Sequence, residues 1–599
     1  MIYNAGRVIG PAASAGREAG ASQSLGDMPV WALSDLYPSP SSPDVTSDLE
    51  RAQRDAAALK ANYEGKLADL AKKPDGLRAA VKDYEALADL LGRLGSYAGL
   101  LYAQNTADPD RAKFYGDIQE KLTSISSDLI FFELEINRID DAVLDAAIAE
   151  GELARYQPWF SDLRKEKPYQ LADDLEKIFH EKLTTGRGAF NRLFNETMTA
   201  LRFEVDGETL AIEPTLNFLS DADPAKREAA ANALADVFSE NIRLFTLITN
   251  TLAKDKEISD RWRGFEDVAA SRHLSNRVEP PVVDALVGAV QEKFPAISHR
   301  YYALKAKWMG QEKLAHWDRN APLAETSDRL IDWPEARSTV LSAYRAFSPD
   351  MAKVAEPFFE KGWIDAPVRD GKAPGAFSHP TVPSAHPFIL LNYMGKPRDV
   401  MTLAHELGHG VHQVLANDQG PLLAPTPLTL AETASVFGEM LTFRALLDEA
   451  KDAAERKAML AQKVEDMINT VVRQIAFYCF ERKVHEARRD GELTSDQLGD
   501  MWMEVQRESL GPAIDLKPGY ETYWSYIPHF IHSPFYVYAY AFGDCLVNSL
   551  YAVYENAEEG FAEKYLDMLR AGGSKHHKEL LAPFGLNASD PDFWGMGLG

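Results

Sequence analysis

The sequence predicts a mainly α protein, a large multi-helical body with one small β-sheet, and three observations predict it. Apolar residues recur three and four apart from about Val45 to Leu163, as in Leu59, Tyr63, Leu67 and Leu70, with charged residues between. A second helical run, opened by Asp223-Pro224, reaches Trp262. Period-two or continuous apolar patterns are confined to short stretches near 203–210 and 388–391.

In chain order, residues 1–28 are rich in Ala, Gly and Ser, with Arg7 and Arg17 scattered through them. Lacking the apolar centre of a secretion signal, they read as a disordered tail. Residues 29–202 read as an N-terminal domain of long antiparallel helices, with turns at Pro74-Asp75-Gly76 and Asp108-Pro109-Asp110. Phe203 to Leu210 alternates around Asp206-Gly207, a hairpin signal, and a soft boundary falls there, leaving 203–599 as the second domain. From Trp363 to Tyr393 Pro and Gly are frequent, and Phe388-Ile389-Leu390-Leu391 reads as a strand. Asp399 caps the next helix, which ends near Asn417-Asp418-Gln419-Gly420, and Pro421, Pro425 and Pro427 stiffen the link to a helix starting near Thr429.

The helix after Asp399 carries His405-Glu406-Leu407-Gly408-His409. Two imidazoles four residues apart lie on one helix face and can grip one metal ion, and Glu406 stands beside them as a base for water. Composition alone, 14 His and 90 acids in 599 residues, predicts roughly 0.05 such matches. The His-Glu pairs at His180 and His485 serve as controls, because Thr184 and Arg489 stand four residues on and no site forms.

Hydrolytic zinc takes three protein ligands and keeps one position open, so a third ligand is needed. His412 lies seven residues after His405, whereas the extended pattern with a third histidine ten residues on meets Leu415. His412 therefore reads as a packing or supporting histidine. Glu432, 23 residues after His409, is the candidate ligand. Thr429 to Glu432 also matches a capping box, in which the carboxylate would serve its own helix. The upstream pair favours the ligand role. Glu439, two turns later, either orients a ligand histidine or stands solvated.

With 64 basic and 90 acidic side chains the formal charge is −26, which repels phosphate and argues against nucleic acid or anionic membrane partners. No stretch approaches the roughly 18 apolar residues of a membrane span. Cys479 and Cys545 form no Cys-x-x-Cys pattern, which fits a reducing cytoplasm and excludes a disulfide framework or thiolate metal site.

Arg398 through His412 resembles the oligoendopeptidase F branch of the thimet-oligopeptidase metallopeptidase family. The resemblance extends to Gly375-Ala376-Phe377, His386 to Tyr393, Glu432-Thr433-Ala434-Ser435, and His529-Phe530 through Pro534 to Tyr540, and also to the opening Trp31 to Tyr37. It implies a multi-helical body enclosing a deep substrate cleft with the small sheet beside the zinc, so that short unstructured peptides reach the ion and folded proteins do not. It makes 203–599 the catalytic domain. It also implies a second constellation, with His529 and Tyr536 catalytic at the developing oxyanion and Tyr540 binding substrate, while Tyr538 and His532 compete for those roles. The expected protein is a zinc-dependent oligoendopeptidase. One Zn2+ per chain would sit on His405, His409 and Glu432, with Glu406 as general base. A zinc carboxypeptidase of similar fold, or a non-catalytic peptide-binding protein, are the rivals.

Overall fold

The computed structural model describes residues 25–598 apart from 150, 184, 324–329, 370, 374, 451 and 557–559. The expected tail lies outside the described residues through Ser24. Leu25 and Met28 pack against the larger core, and the Leu25 carbonyl accepts from the Trp333 amide at 2.8 Å. Residues 25–28 are thus built into the fold, because their few apolar side chains meet a surface supplied by residues hundreds of positions away.

The N-terminal helices include α1 (Pro43–Tyr63), α2 (Arg78–Gln104) and α3 (Pro109–Ser127). The apolar series Leu59 to Leu70 spans two helices rather than one, since α1 ends before Gly65 (φ 76°) and a short helix starts at Leu67. Asp108 caps α3 by accepting from the amides of Asp110 and Arg111, with Pro109 in the first turn, where no donor is missed. Leu59, Leu67, Leu91, Phe132 and Phe160 lie in one buried core with Trp31 and Tyr37.

The hairpin forms as expected: β1 (Phe203–Val205) pairs antiparallel with β2 (Glu208–Leu210), and Asp206 and Gly207 both take positive φ (52° and 83°), as a two-residue primed turn requires. The 40-residue α4 (Pro224–Arg263) follows, with the Asp223 side chain accepting from Ala225 and left-handed Gly264 ending it. The short α5 (Ala270–Ser275) comes next. Phe194, Met198 and Leu201, on the N-terminal side of the hairpin, join Phe203 and Phe238 in the larger core, while the other core takes residues from Trp31 to Leu163 together with Phe377, Phe388, Leu390 and Leu423.

Three strands form the sheet beside the site: β3 (Ile364–Pro367), β4 (Phe377–His379) and β5 (Phe388–Tyr393). Central β5 runs parallel to β3 and antiparallel to β4, with both Ile364 and Ser378 opposite Ile389. Its side chains alternate between two cores: Phe388 and Leu390 belong to the N-terminal one, Ile389 and Leu391 to the larger one. A strand buried on both faces reads as an unbroken apolar run, which is why 388–391 shows no polar alternation.

Four helices then build the site: α6 (Pro397–Ala416), α7 (Leu428–Asp448), α8 (Arg473–Asp490) and α9 (Tyr538–Asn556). Asp399 is not the N-cap of α6, which is Lys396. It stands inside the first turn and its Oδ2 accepts from the amides of Lys396 and Met394. Helices α6 and α7 cross closely at Gly408, where an added Cβ would lie 2.4 Å from the Ala434 carbonyl oxygen and 2.7 Å from the Ser435 Cα. Because those are backbone atoms, the helices themselves would have to part. Gly408→Ala is expected to cost about 1–3 kcal/mol by overpacking, read as a shift in denaturant midpoint, and unchanged stability would mean the crossing is looser than described.

Candidate metal centre

His405 and His409 emerge from one face of α6, and α7 returns across the Pro421–Pro427 link to place Glu432 opposite them. Glu432 Oε2 lies 3.4 Å from His405 Nε2 and 3.4 Å from His409 Nε2. Their nitrogens and the carboxylate oxygen fall within 4.8 Å of one another, a set that could hold one cation. Glu432 is the fifth residue of α7, whose N-cap is Pro427, so the capping-box reading does not hold. Its partners are the two histidines and the Ser435 hydroxyl, which donates to Oε2 at 2.7 Å. Gly543 of α9 backs it, and a Cβ there would come 2.5 Å from the Glu432 Cβ. The three side chains keep 27, 18 and 20% exposure, so the donors open to solvent.

Glu406 is 4% exposed and accepts from the backbone amide of Ser378 on β4. Burial raises its carboxyl pKa, while His405 and His409 pull it back. The strand is tied to α6 through Gln413, whose amide donates to the Ser378 carbonyl at 3.2 Å and accepts from its hydroxyl at 2.9 Å. For Glu432 burial opposes the charge, but His409, His405 and Ser435 together hold it well below the usual carboxylate range. On His405 burial opposes protonation, yet the Glu439 hydrogen bond and the carboxylates of Glu432, Glu406 and Glu439 lift it to about 9.

Glu439 stands between His405 and Lys463: its Oε2 lies 3.3 Å from His405 Nδ1, and its Oε1 accepts from Lys463 Nζ at 2.6 Å. Burial works against its charge, but Lys463 and His405 outweigh it and hold it at about 2. Lys463 is 9% exposed, and Asp466 and Asp544 behind it are pushed by burial to about 6. Sequence reading missed Lys463 and Asp544, since a lone Lys or Asp in a helical pattern carries no signal of burial. His412 is buried beside the site, where burial and His409 hold it near 4, and its Nε2 lies 3.3 Å from the Thr426 hydroxyl. It supports the link before α7 and does not join the ligand set.

Of the second constellation, His529, Tyr536 and Tyr540 come together. His529 Nε2 lies 3.2 Å from the Tyr540 hydroxyl, and the Tyr536 and Tyr540 rings meet edge-on at 5.2 Å. Burial and then the Glu432 carboxylate push the Tyr540 hydroxyl above its ordinary pKa. Burial, Arg473 and His532 hold His529 at about 4, so it is a neutral imidazole. The two competitors turn elsewhere. Tyr538 is fully buried, its hydroxyl bonded to His273 Nδ1 and Asn276 Nδ2, and His532 pairs with Asn195.

Known proteins are similar to this chain. The chain matches the family described as Oligopeptidase F over residues 135–203 and Peptidase family M3 over residues 217–599. It is similar to oligopeptidase PepF of Bacillus subtilis, 27% identical over 582 residues that make up 94% of this chain and 84% of that protein. It is also similar to an oligoendopeptidase F homolog of Lactococcus lactis, 26% identical over 94% of each. Its fold matches a crystal structure from Chlamydophila abortus (TM-score 0.80, 20% identity, 95% of this chain and 96% of that one). It likewise matches oligoendopeptidase-F from Enterococcus faecium (TM-score 0.69, 22% identity, 92% and 94%). With more than half its length matched, the chain belongs to peptidase family M3.

Proposed function

We propose that this M3 metalloendopeptidase uses one zinc ion, held by His405, His409 and Glu432, to cut internal bonds of short unstructured peptides admitted through the cleft expected of its fold. The observation that carries this is the pair of 3.4 Å separations from Glu432 Oε2 to the two Nε2 atoms. Zinc bonds of about 2.05 Å at the tetrahedral angle space ligand atoms about 3.3 Å apart. Two imidazoles and one carboxylate are also the donor set of hydrolytic zinc, which keeps a fourth position open.

Zinc so held supplies Lewis acidity, making water acidic near neutral pH and polarising a carbonyl. Glu406 takes the proton of the attacking water and passes it to the departing amine, while the Ser378 amide fixes its carboxyl. Tyr540, Tyr536 and neutral His529 form the opposite wall, where a phenol or N–H donates to the carbonyl oxygen as charge develops. Glu439 orients His405, and Lys463 balances its charge. Glu439→Gln is expected to weaken zinc binding by about 10–100-fold, measured by competition with a chromophoric chelator. Unchanged affinity would reduce Glu439 to a bystander.

Two unpaired cysteines, no helix among the described residues long and apolar enough to cross a membrane, and the acidic surface support a cytoplasmic location and peptide rather than nucleic-acid partners. The test is a cleavage map on a peptide blocked at both ends, with and without chelator. Internal cuts abolished by chelator are expected. Trimming only from a free C-terminus would favour a carboxypeptidase, and no hydrolysis at all with zinc present would favour a binding protein.

A further inference from the structure

We propose that Glu481 and Arg272 are positioning residues that hold the Pro534-Phe535 backbone in a left-handed turn and thereby aim Tyr536 and Tyr540 at the metal centre. This rests on the peptidase reading above and assigns the wall opposite the ion a support of its own.

Phe535 has φ 59°, a region that a bulky L-residue rarely occupies unless its surroundings impose it. Two side chains from different helices grip the backbone there. The Phe535 amide donates to Glu481 Oε1 of α8 at 2.8 Å, and Arg272 Nε of α5 donates to the Pro534 carbonyl at 3.1 Å. The Phe535 ring, fully buried, rests against Tyr478 and His485, with centroids 6.0 and 4.8 Å away. Tyr478, Glu481 and His485 share one face of α8 through their three- and four-residue spacing. A single helix face therefore receives both the ring and the amide of this one residue.

Glu481 is 2% exposed, and its Oε2 is buried with no hydrogen-bond partner among the described residues. A hydrocarbon side chain would fill that space without the cost of burying a bare polar oxygen. What the carboxyl group alone provides is the acceptor for the Phe535 N–H. Burial raises its pKa to about 8, and glutamine keeps an oxygen in the place that accepts from the Phe535 amide. Directly after the turn, the Tyr536 amide donates to the Ser533 carbonyl and α9 begins, setting Tyr536 and Tyr540 side by side. A change in φ at Phe535 swings that pair.

The test compares Glu481→Gln, Glu481→Leu and Arg272→Met in zinc-loaded full-length enzyme, reading zinc content, kcat, KM and hydrogen exchange of the amides of residues 533 and 535–537. Glu481→Gln is expected to stay within about threefold of wild-type kcat, whereas Glu481→Leu and Arg272→Met lose roughly 10–100-fold through misplaced donors. In both of those variants KM and zinc content hold while the amides of 533 and 535–537 exchange faster. Should Glu481→Leu fail to fold, Arg272→Met decides. Wild-type kcat in the variants that lack either contact, unchanged exchange, or an equal loss in Glu481→Gln would each overturn the proposal. A failure of the peptidase reading itself would show elsewhere, as a zinc-loaded wild-type chain that cuts no peptide.

Discussion

Replacing Glu406 by glutamine is expected to lower kcat by about 10²–10⁴-fold, the contribution of a positioned general base, while zinc content stays at one per chain. Glutamine keeps the length of the side chain and an oxygen to accept from the Ser378 amide, so the pocket at 4% exposure is still filled. What it cannot do is take a proton from water. On the usual scale of 1.36 kcal/mol per tenfold, the loss corresponds to about 3–5 kcal/mol of barrier. Because Glu406 is not among the three side chains that together could hold a cation, its replacement is expected to leave that set intact. Peptide cleavage at close to the wild-type rate, with metal bound, would take the base role from this residue.

Glu432→Ala is expected to abolish stoichiometric zinc binding and with it peptide cleavage. The substitution removes the one anionic ligand and leaves two imidazoles on α6, a set one short of hydrolytic zinc. Alanine retains the Cβ that packs against Gly543, and the residue lies beyond the first turn of α7, so no helix cap is lost. The ion-free variant should therefore unfold within a few degrees of ion-free wild type, and elemental analysis should find no metal. Full metal retention would exclude Glu432 as a ligand. A large loss of stability in the ion-free chain would instead make it a structural carboxylate.

The parts of the site legible in the sequence are those set by one helix. His405, Glu406 and His409 are fixed relative to one another by the 3.6-residue turn of α6, so their spacing alone announced a shared face. The hairpin at Asp206-Gly207 and the opening of α4 at Asp223-Pro224 were legible for the same reason, since turn and cap chemistry act over three or four residues. The tyrosines were not. Positions 536, 538 and 540 alternate like a strand, yet α9 begins at Tyr538, so Tyr536 and Tyr540 end up four apart on one side and Tyr538 turns into the core against His273 and Asn276. That Leu25, Met28 and Phe194 pack with the larger core was not legible either, because they are claimed by surfaces distant in sequence.

By itself, then, the sequence determined the helical character of the chain, the shared helix face of His405 and His409 with Glu406 beside them, and the kinship carried by those motifs, all of them properties of contiguous residues. Only the tertiary structure decided which carboxylate lies beside the two imidazoles, that Lys463 stands behind Glu439, and which tyrosines gather at His529. Those are choices among helices brought together by packing. The near-contact of α6 and α7 at Gly408, which sets Glu432 between the two imidazoles, is a distance that no local pattern encodes.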